Sequence, residues 1–428
     1  MLFRRRAKKR VCVIGLDGVP HGLLTRLASE GVIPATAAIL RLGHLARMTV
    51  SLPEISSVSW SSFMTGANPG THGIFGFTDL RPQSYELRFP SFRDLRAPTF
   101  WDRLGAAGKR CIIINQPATY PAREIAGVLV SGFVALDLRK AVYPPGYVPR
   151  LERMGYRIDV DCSSPDALLG TLHETLAARE RAVAYLWQAE SWDYFQVVIT
   201  GTDRLHHLLW DAGAQPDHPR HQAFLDYYRE VDRVIGALRE RFEKLTGTLD
   251  GLFLLSDHGC DGIRREVYLN AWLRRQGYLR YAKEEPESLA DIAPDTKAFA
   301  LDPGRIHLHL RGRFPHGTVD AADASKLKAE LQAGLRSLEF EGAPVMREVF
   351  DAGDIYSGPV VGEGPDLVAL SHHGFDLKGS VKRPEVFGRS ALQGMHTWDD
   401  AFLWCAQPAP EGVNIVDVAD IVSSRLIE

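Results

Sequence analysis

Seven short apolar runs recur along the 428-residue chain: VCVIGL at 11–16, CIIIN at 111–115, VLVS at 128–131, FQVVIT at 195–200, LFLLS at 252–256, LVAL at 367–370 and FLWC at 402–405. Unbroken runs of this kind mark strands buried on both faces, and such strands need a layer of helices on each side. The helices are legible between them. Phe224, Tyr228, Val231, Ile235, Leu238 and Phe242 step by fours and threes, which puts them on one face of a long helix. A stretch from about 165 to 190, rich in Ala, Leu, Glu and Arg, predicts a second helix leading into the fourth run. The alternation predicts an α/β fold built on a central, mostly parallel sheet flanked by helices.

Length alone allows two or three domains. No low-complexity tract, repeat or linker divides the chain, so residues 1–428 are expected to act as one catalytic unit. Two stretches break the rhythm, 78–100 and 284–362, and are expected to be insertions over the active face. The 50 Lys and Arg nearly balance the 53 Asp and Glu, a net charge of −3, which leaves no overall positive field for a nucleic-acid polymer. Five scattered cysteines without a CxxC pair give neither a disulfide framework nor a thiolate zinc site. The basic opening MLFRRRAKKR reads as a solvated tail, because VCVIGLDGV after it is short and holds Asp17, as a first strand does and a leader does not. No apolar run reaches the ~18 residues of a membrane span, and a cytoplasmic location is expected.

Polar residues at the carboxyl ends of strands are where open α/β sheets bind ligands. Asp17, Asp203 and Asp257 each follow an apolar run closely. Singly, each equally suits a turn or a helix cap. Their neighbours favour ligation. In DRLHH, Asp203 and His207 are spaced i, i+4, which places both on one helix face; in SDHG, Asp257 and His258 are adjacent; His396 sits in GMHTW, in an expected loop before FLWC. Three aspartates and three histidines so placed favour a site for two metal ions. The segment LPEISSVSWSSFMTGANPGTHGIFGF offers hydroxyls in a Ser-rich loop, any one of which a bound cation would activate as a nucleophile.

VIGLDG, PEISSVSWSSFMTGANPGTHGIFGF, GTDRLHHLLW, LLSDHG, GPDLVAL and GMHTWDDAF, in this order, resemble the alkaline phosphatase superfamily, in particular its type I phosphodiesterase/nucleotide pyrophosphatase branch and the bacterial phosphohydrolase/phosphomutase-like proteins within it. The resemblance implies an alkaline-phosphatase-like sheet with cap insertions. It implies that Asp203, His207 and His396 hold one divalent ion, and that Asp17, Asp257 and His258 hold another, which Ser56 also touches. Ser56 is singled out because the motif's nucleophile lies nine positions before the Thr of TG, here Thr65; threonine is common there, and serine keeps the hydroxyl. Oxygen and nitrogen donors suit Zn²⁺ or Mn²⁺, with the imidazole share favouring zinc. The implied activity is hydrolysis of a nucleotide-like or related phosphodiester or pyrophosphate, a small-molecule substrate, through a phosphoserine.

One departure bears on substrate. Nucleotide pyrophosphatases carry an Asn after HGI that binds a phosphate oxygen, and Phe77 stands there in this chain. Arg81, Tyr85, Arg88 and Arg93 in the first insertion, and Asn115, Arg204, His206 and Lys382 elsewhere, are further candidates for substrate or supporting contacts. Two other activities remain open: a phosphomonoesterase or phosphomutase on a sugar phosphate using the same serine, and a catalytically silent protein that binds a phosphorylated ligand. The CxPxR-type motif of sulfatases is absent.

Overall fold

A computed structural model describes residues 8–427. Its centre is an eight-stranded sheet of β1 (Val11–Leu16), β2 (His44–Met48), β3 (Cys111–Gln116), β4 (Gly127–Ser131), β5 (Val142–Tyr143), β6 (Tyr194–Ile199), β7 (Leu252–Leu255) and β8 (Ala401–Cys405). The spatial order is β2-β8-β7-β1-β6-β3-β4-β5. The five strands from β7 to β4 are parallel; β8 runs against them between β7 and β2, pairing antiparallel with both, and β5 pairs antiparallel with β4 on the other edge.

The parallel strands are buried on both faces, and their alternation sorts side chains between two cores. Cys12, Ile14 and Leu16 join Phe195, Val197, Leu252 and Leu254 under the helices His21–Ser29, Pro165–Ala189 and His221–Thr246. Val11 and Val13 face the other way, with Val198, Phe253 and Leu255, under the helices Ser56–Thr65, Phe100–Ala106 and Ile415–Ser423. Each such side chain contributes about 1.5–3 kcal/mol on leaving water. One close contact fixes the helix that matters most to the site. A Cβ on Gly15 would lie 2.6 Å from the Trp60 ring, so glycine is what lets the helix Ser56–Thr65 settle onto β1.

The run LVAL forms the strand Leu367–Ser371, but in a second, four-stranded antiparallel sheet with Ala298–Leu301, Arg305–Leu308 and Met346–Asp351, not in the central one. An apolar run records burial, not the sheet that provides it. This sheet has its own core, to which Val267, Leu273, Phe299, Ile306, Leu331 and Val349 belong, with the helix Ala324–Arg336 against it. Leu52, Phe75, Tyr356 and Val368 join it to the segment before Ser56, where the Tyr356 hydroxyl donates to Leu52 O at 2.9 Å. Residues 78–100 hold a small hairpin, Asp79–Leu80 with Leu87–Arg88, and a turn of 3-10 helix at Phe92–Asp94.

Most of the basic opening lies outside the described residues. Lys8 and Arg10 at its end do not extend as a tail: Lys8 pairs with Asp193 at 2.9 Å, and Arg10 donates to Trp192 O at 2.8 Å. Among the described residues no single helix is long and apolar enough to cross a membrane, and all five cysteines are free thiols.

Candidate active site

β7, β1 and β6 are neighbours and parallel, so their carboxyl ends lie side by side, about 4.8 Å from strand to strand. Asp17 follows β1, Asp257 follows β7, and the loop after β6 opens the helix Gly201–Ala214 that carries Asp203 and His207 one turn apart. His396 arrives by another route. It lies on a short strand, Gly394–Thr397, not in the loop expected, and this strand pairs antiparallel with Gly259–Gly262 directly after His258. The pairing stacks the His396 and His258 rings with centroids 3.7 Å apart.

Two groups of donors result. One ligand atom each from Asp203, His207 and His396 lie within 4.8 Å of one another, as do those of Asp17, Asp257 and His258. The groups adjoin, since Asp203 Oδ1 is 3.3 Å from His396 Nε2, 3.4 Å from His207 Nε2 and 3.9 Å from His258 Nε2.

Each imidazole is oriented by a backbone carbonyl. His207 Nδ1 bonds Gly394 O at 2.9 Å, His396 Nδ1 bonds Glu54 O at 2.9 Å and His258 Nδ1 bonds Gly259 O at 2.8 Å. A carbonyl only accepts, so each Nδ1 carries the hydrogen and each Nε2 presents a lone pair to the site. Two such lone pairs, His207 Nε2 and His396 Nε2, face each other 3.0 Å apart, and burial together with His258 pushes His396 down to about 3, so it does not protonate to relieve them. Asp203 Oδ1 and Asp257 Oδ2 are buried without a hydrogen-bond partner. Burial and the neighbouring carboxylates of Asp257 and Asp203 hold Asp17 well above the usual range, and burial raises Asp257 to about 7. Orphaned carboxylate oxygens and opposed lone pairs in a buried space are a donor set that fits divalent cations.

Ser56 is the first residue of the helix Ser56–Thr65, where a Ser-rich loop was expected. Trp60, Phe63 and Met64 pack into the core and bury the segment as a helix, and the positive end of the helix then lies at the hydroxyl. Ser56 Oγ is 3.2 Å from Asp17 Oδ1 and 3.0 Å from His258 Nε2. Asp17 is steadied by Trp60 Nε1, which donates to Oδ2 at 3.3 Å, and Asp257 by the Gly18 amide at 3.0 Å. Gly18 has φ +66°, and a Cβ there would lie 2.9 Å from Asp203 Oδ1. The second Ser–His pair of this region is structural. His72 Nδ1 accepts from the Ile74 amide, so its Nε2 carries the hydrogen and donates to Ser62, and His72 is no base for that serine.

The remaining candidates divide. Asn115, with φ +63°, bonds Val198 O and Thr200 Oγ1 and braces the end of β6. His206 links Gly18 O to the Tyr228 hydroxyl behind Asp17. Arg204 pairs with Asp159 at 2.9 Å and lies 3.4 Å from Asp203. Arg81 pairs with Glu86, Arg88 with Asp94, and the Tyr85 hydroxyl meets His309; none of the three candidates lines the cavity beside Ser56. Arg93 is exposed, and Lys382 lines a separate cleft with Tyr85 and Ser380. Away from Asp17 and His258, the small cavity that Ser56 opens onto is lined mainly by apolar side chains, Ile74, Phe77, Pro117, Phe133 and Val134, with Ser57 and Ser91 among them. Phe133, Trp60 and the carbonyls of Glu54 and Gly394 carried no sequence signal of their own.

Residues 11–399 match the family of type I phosphodiesterase / nucleotide pyrophosphatase. The chain belongs to that family. It is a family of phosphoester hydrolases within the alkaline phosphatase superfamily. Solved structures share the fold at low identity. Phosphonoacetate hydrolase from Sinorhizobium meliloti, in complex with phosphonoformate, is 16% identical with a TM-score of 0.65, covering 98% of this chain and 96% of its own. Murine ectonucleotide pyrophosphatase / phosphodiesterase 5 is 14% identical with a TM-score of 0.55, covering 98% and 95%. The alkaline phosphatase PafA is 14% identical with a TM-score of 0.60, covering 98% and 96%. Comparison with curated proteins finds no match.

Proposed function

We propose that the chain is a two-metal phosphodiesterase or pyrophosphatase that works through a phosphoserine at Ser56 on a small nucleotide-like or related phosphodiester. The observation that carries this reading is Ser56 Oγ at 3.0 Å from His258 Nε2 and 3.2 Å from Asp17 Oδ1, on the edge of two adjoining donor triads, one buried and the other partly open.

Asp203, His207 and His396 would hold one cation, and Asp17, Asp257, His258 and Ser56 the other. Two divalent ions, Zn²⁺ in preference to Mn²⁺, supply when bound the positive charge that favours ionised oxygen nucleophiles and neutralises the phosphoryl oxygens. Ser56 Oγ attacks phosphorus, and the bond to the leaving oxygen breaks on the opposite side, towards Asp203, His207 and His396. The helix start at Ser56 favours its anionic form. A water then attacks the phosphoserine from the leaving-group side, the bond to Ser56 Oγ breaks, and phosphate or a phosphomonoester departs. Trp60 and the Gly18 amide keep Asp17 and Asp257 in place throughout. We further propose that residues 1–428 act as one catalytic unit, with 78–100 and 284–362 over the active face; the donors spread from Asp17 to His396 support this.

Ser56→Ala is expected to abolish turnover of methyl p-nitrophenyl phosphate, a diester that keeps only a methoxy group on phosphorus, while two equivalents of metal stay bound; undiminished turnover would show that Ser56 is not the nucleophile. The tight cavity beside Ser56 favours a second reading, a phosphomonoesterase or phosphomutase using the same serine. A clear preference for p-nitrophenyl phosphate over the diester would select it. The complete donor set speaks against a silent binding protein.

A further inference from the structure

The cavity onto which Ser56 opens has only about 20 Å³ of free space, room for a single water and not for a ring. Aromatic side chains fill it. The Phe77 and Phe133 rings lie parallel within 7°, with centroids 5.4 Å apart, and Phe89 closes the outer edge of Phe77 at 5.3 Å. The Arg204 guanidinium lies 3.9 Å from the Phe133 ring, held there by two bonds to Asp159, and its Nη1 is 3.4 Å from Asp203 Oδ2. A continuous wall therefore runs from Ser56 at one end of the site to Asp203 at the other.

In-line displacement places the entering serine oxygen and the leaving oxygen on one axis, and the three other substituents of phosphorus project sideways from it. Here the axis runs from Ser56 towards Asp203, His207 and His396, so the aromatic wall lies alongside it. Any bulky substituent that phosphorus keeps meets this wall. Oxygen or a methyl group fits, and the buried Ser57 Oγ, which lines the same cavity without a hydrogen-bond partner, suits an oxygen.

We propose that Phe77 is a specificity-determining gate that admits phosphoryl substrates whose retained substituent is small and rejects those whose retained substituent is a large group such as a nucleoside. The proposal rests on Ser56 being the nucleophile, which sets the axis. Phe77 is the element that decides, because Phe133 is pinned by Arg204 whereas Phe77 is half-buried and backed by Phe89, itself 63% exposed.

The test uses metal-loaded enzyme and three substrates with one leaving group: the p-nitrophenyl esters of methylphosphonate, phenylphosphonate and thymidine 5′-phosphate. In the wild type kcat/KM is expected to fall from the methyl to the thymidine substrate. Comparing each variant with wild type cancels intrinsic reactivity. Phe77→Ala is expected to raise the thymidine-to-methyl ratio of kcat/KM at least about tenfold, the scale on which pocket volume discriminates, and Phe89→Ala to raise it less. An unchanged ratio in both variants, or a wild type that handles thymidine as well as methyl, overturns the gate. If Phe77→Ala does not fold, the exposed Phe89 position and the wild-type ladder still decide. Ser56→Ala on the methyl substrate separates the two ideas: activity there overturns the nucleophile, while its loss with an unchanged ratio overturns only the gate. A wild type inactive on all three overturns both.

Discussion

Asp17 faces Ser56 with one oxygen and the Trp60 indole with the other. The indole bond turns the carboxylate so that Oδ1 points at the serine, and Gly15 makes room for the ring that supplies it. Groups that orient metal-binding side chains typically matter by 10–100-fold in affinity or activity. Trp60→Phe keeps an aromatic ring on the core face, removes the Nε1 donor and leaves part of the indole's buried space unfilled. It is expected to lower zinc affinity or kcat/KM by about 10-fold while circular dichroism stays native; a change of less than about twofold would mean that Asp17 is oriented without it.

The short strand Gly394–Thr397 is the element that completes the donor set, and it is anchored just outside the site. His373 bonds Asp261, on the strand with which Gly394–Thr397 pairs, at 3.1 Å and Asp399, three residues beyond His396, at 3.0 Å. Arg347 also pairs with Asp399. The hydrogen bonds to Asp261 and Asp399 raise His373 from 6.5 to about 10. A group raised on folding stabilises the native state fully below its unfolded value, and that contribution disappears as the pH rises through the folded value. The tie is therefore expected to hold at pH 6 and to be lost through about pH 10. His373 is 43% exposed, so the effect is small. The gap in Tm between wild type and His373→Gln should narrow steadily from pH 6 to pH 10 and above; a gap independent of pH would show that the pair contributes nothing through its charge.

Over the whole molecule, the six donors come from four separate segments of chain, and only the folded sheet brings them together. Cations that bind the native state and not the unfolded chain stabilise it by mass action, about 2.7 kcal/mol when free metal is 100 times its Kd. EDTA is accordingly expected to lower Tm by several degrees and to remove activity, and Zn²⁺ or Mn²⁺ to restore both, with Tm climbing as free metal rises. A Tm indifferent to chelator would contradict a site that lies between segments so far apart. Unlike the outcome of Ser56→Ala, this one does not depend on which hydroxyl attacks.

Periodicity and residue chemistry are local properties, and what they carry was readable before any fold was known. Six of the seven apolar runs lie in the central sheet, the helix stepping from Phe224 to Phe242 runs from His221 to Thr246, and the i, i+4 spacing of Asp203 and His207 places both in one donor group. The edge strands β2 and β5 escaped because a half-exposed strand such as HLARM and a two-residue strand have no apolar run to show. Residue types and order also contained the donor set, since Asp, His and Ser bring their ligand chemistry wherever they stand. Tertiary structure decided what those local terms do not encode. The order β7-β1-β6 makes neighbours of aspartates far apart in sequence, the pairing of Gly259–Gly262 with Gly394–Thr397 lays His396 over His258, and the stack of Phe77, Phe133 and Arg204 closes the space beside Ser56. Each is a long-range pairing selected by the packing of the whole core, in which no residue's own preference names its partner.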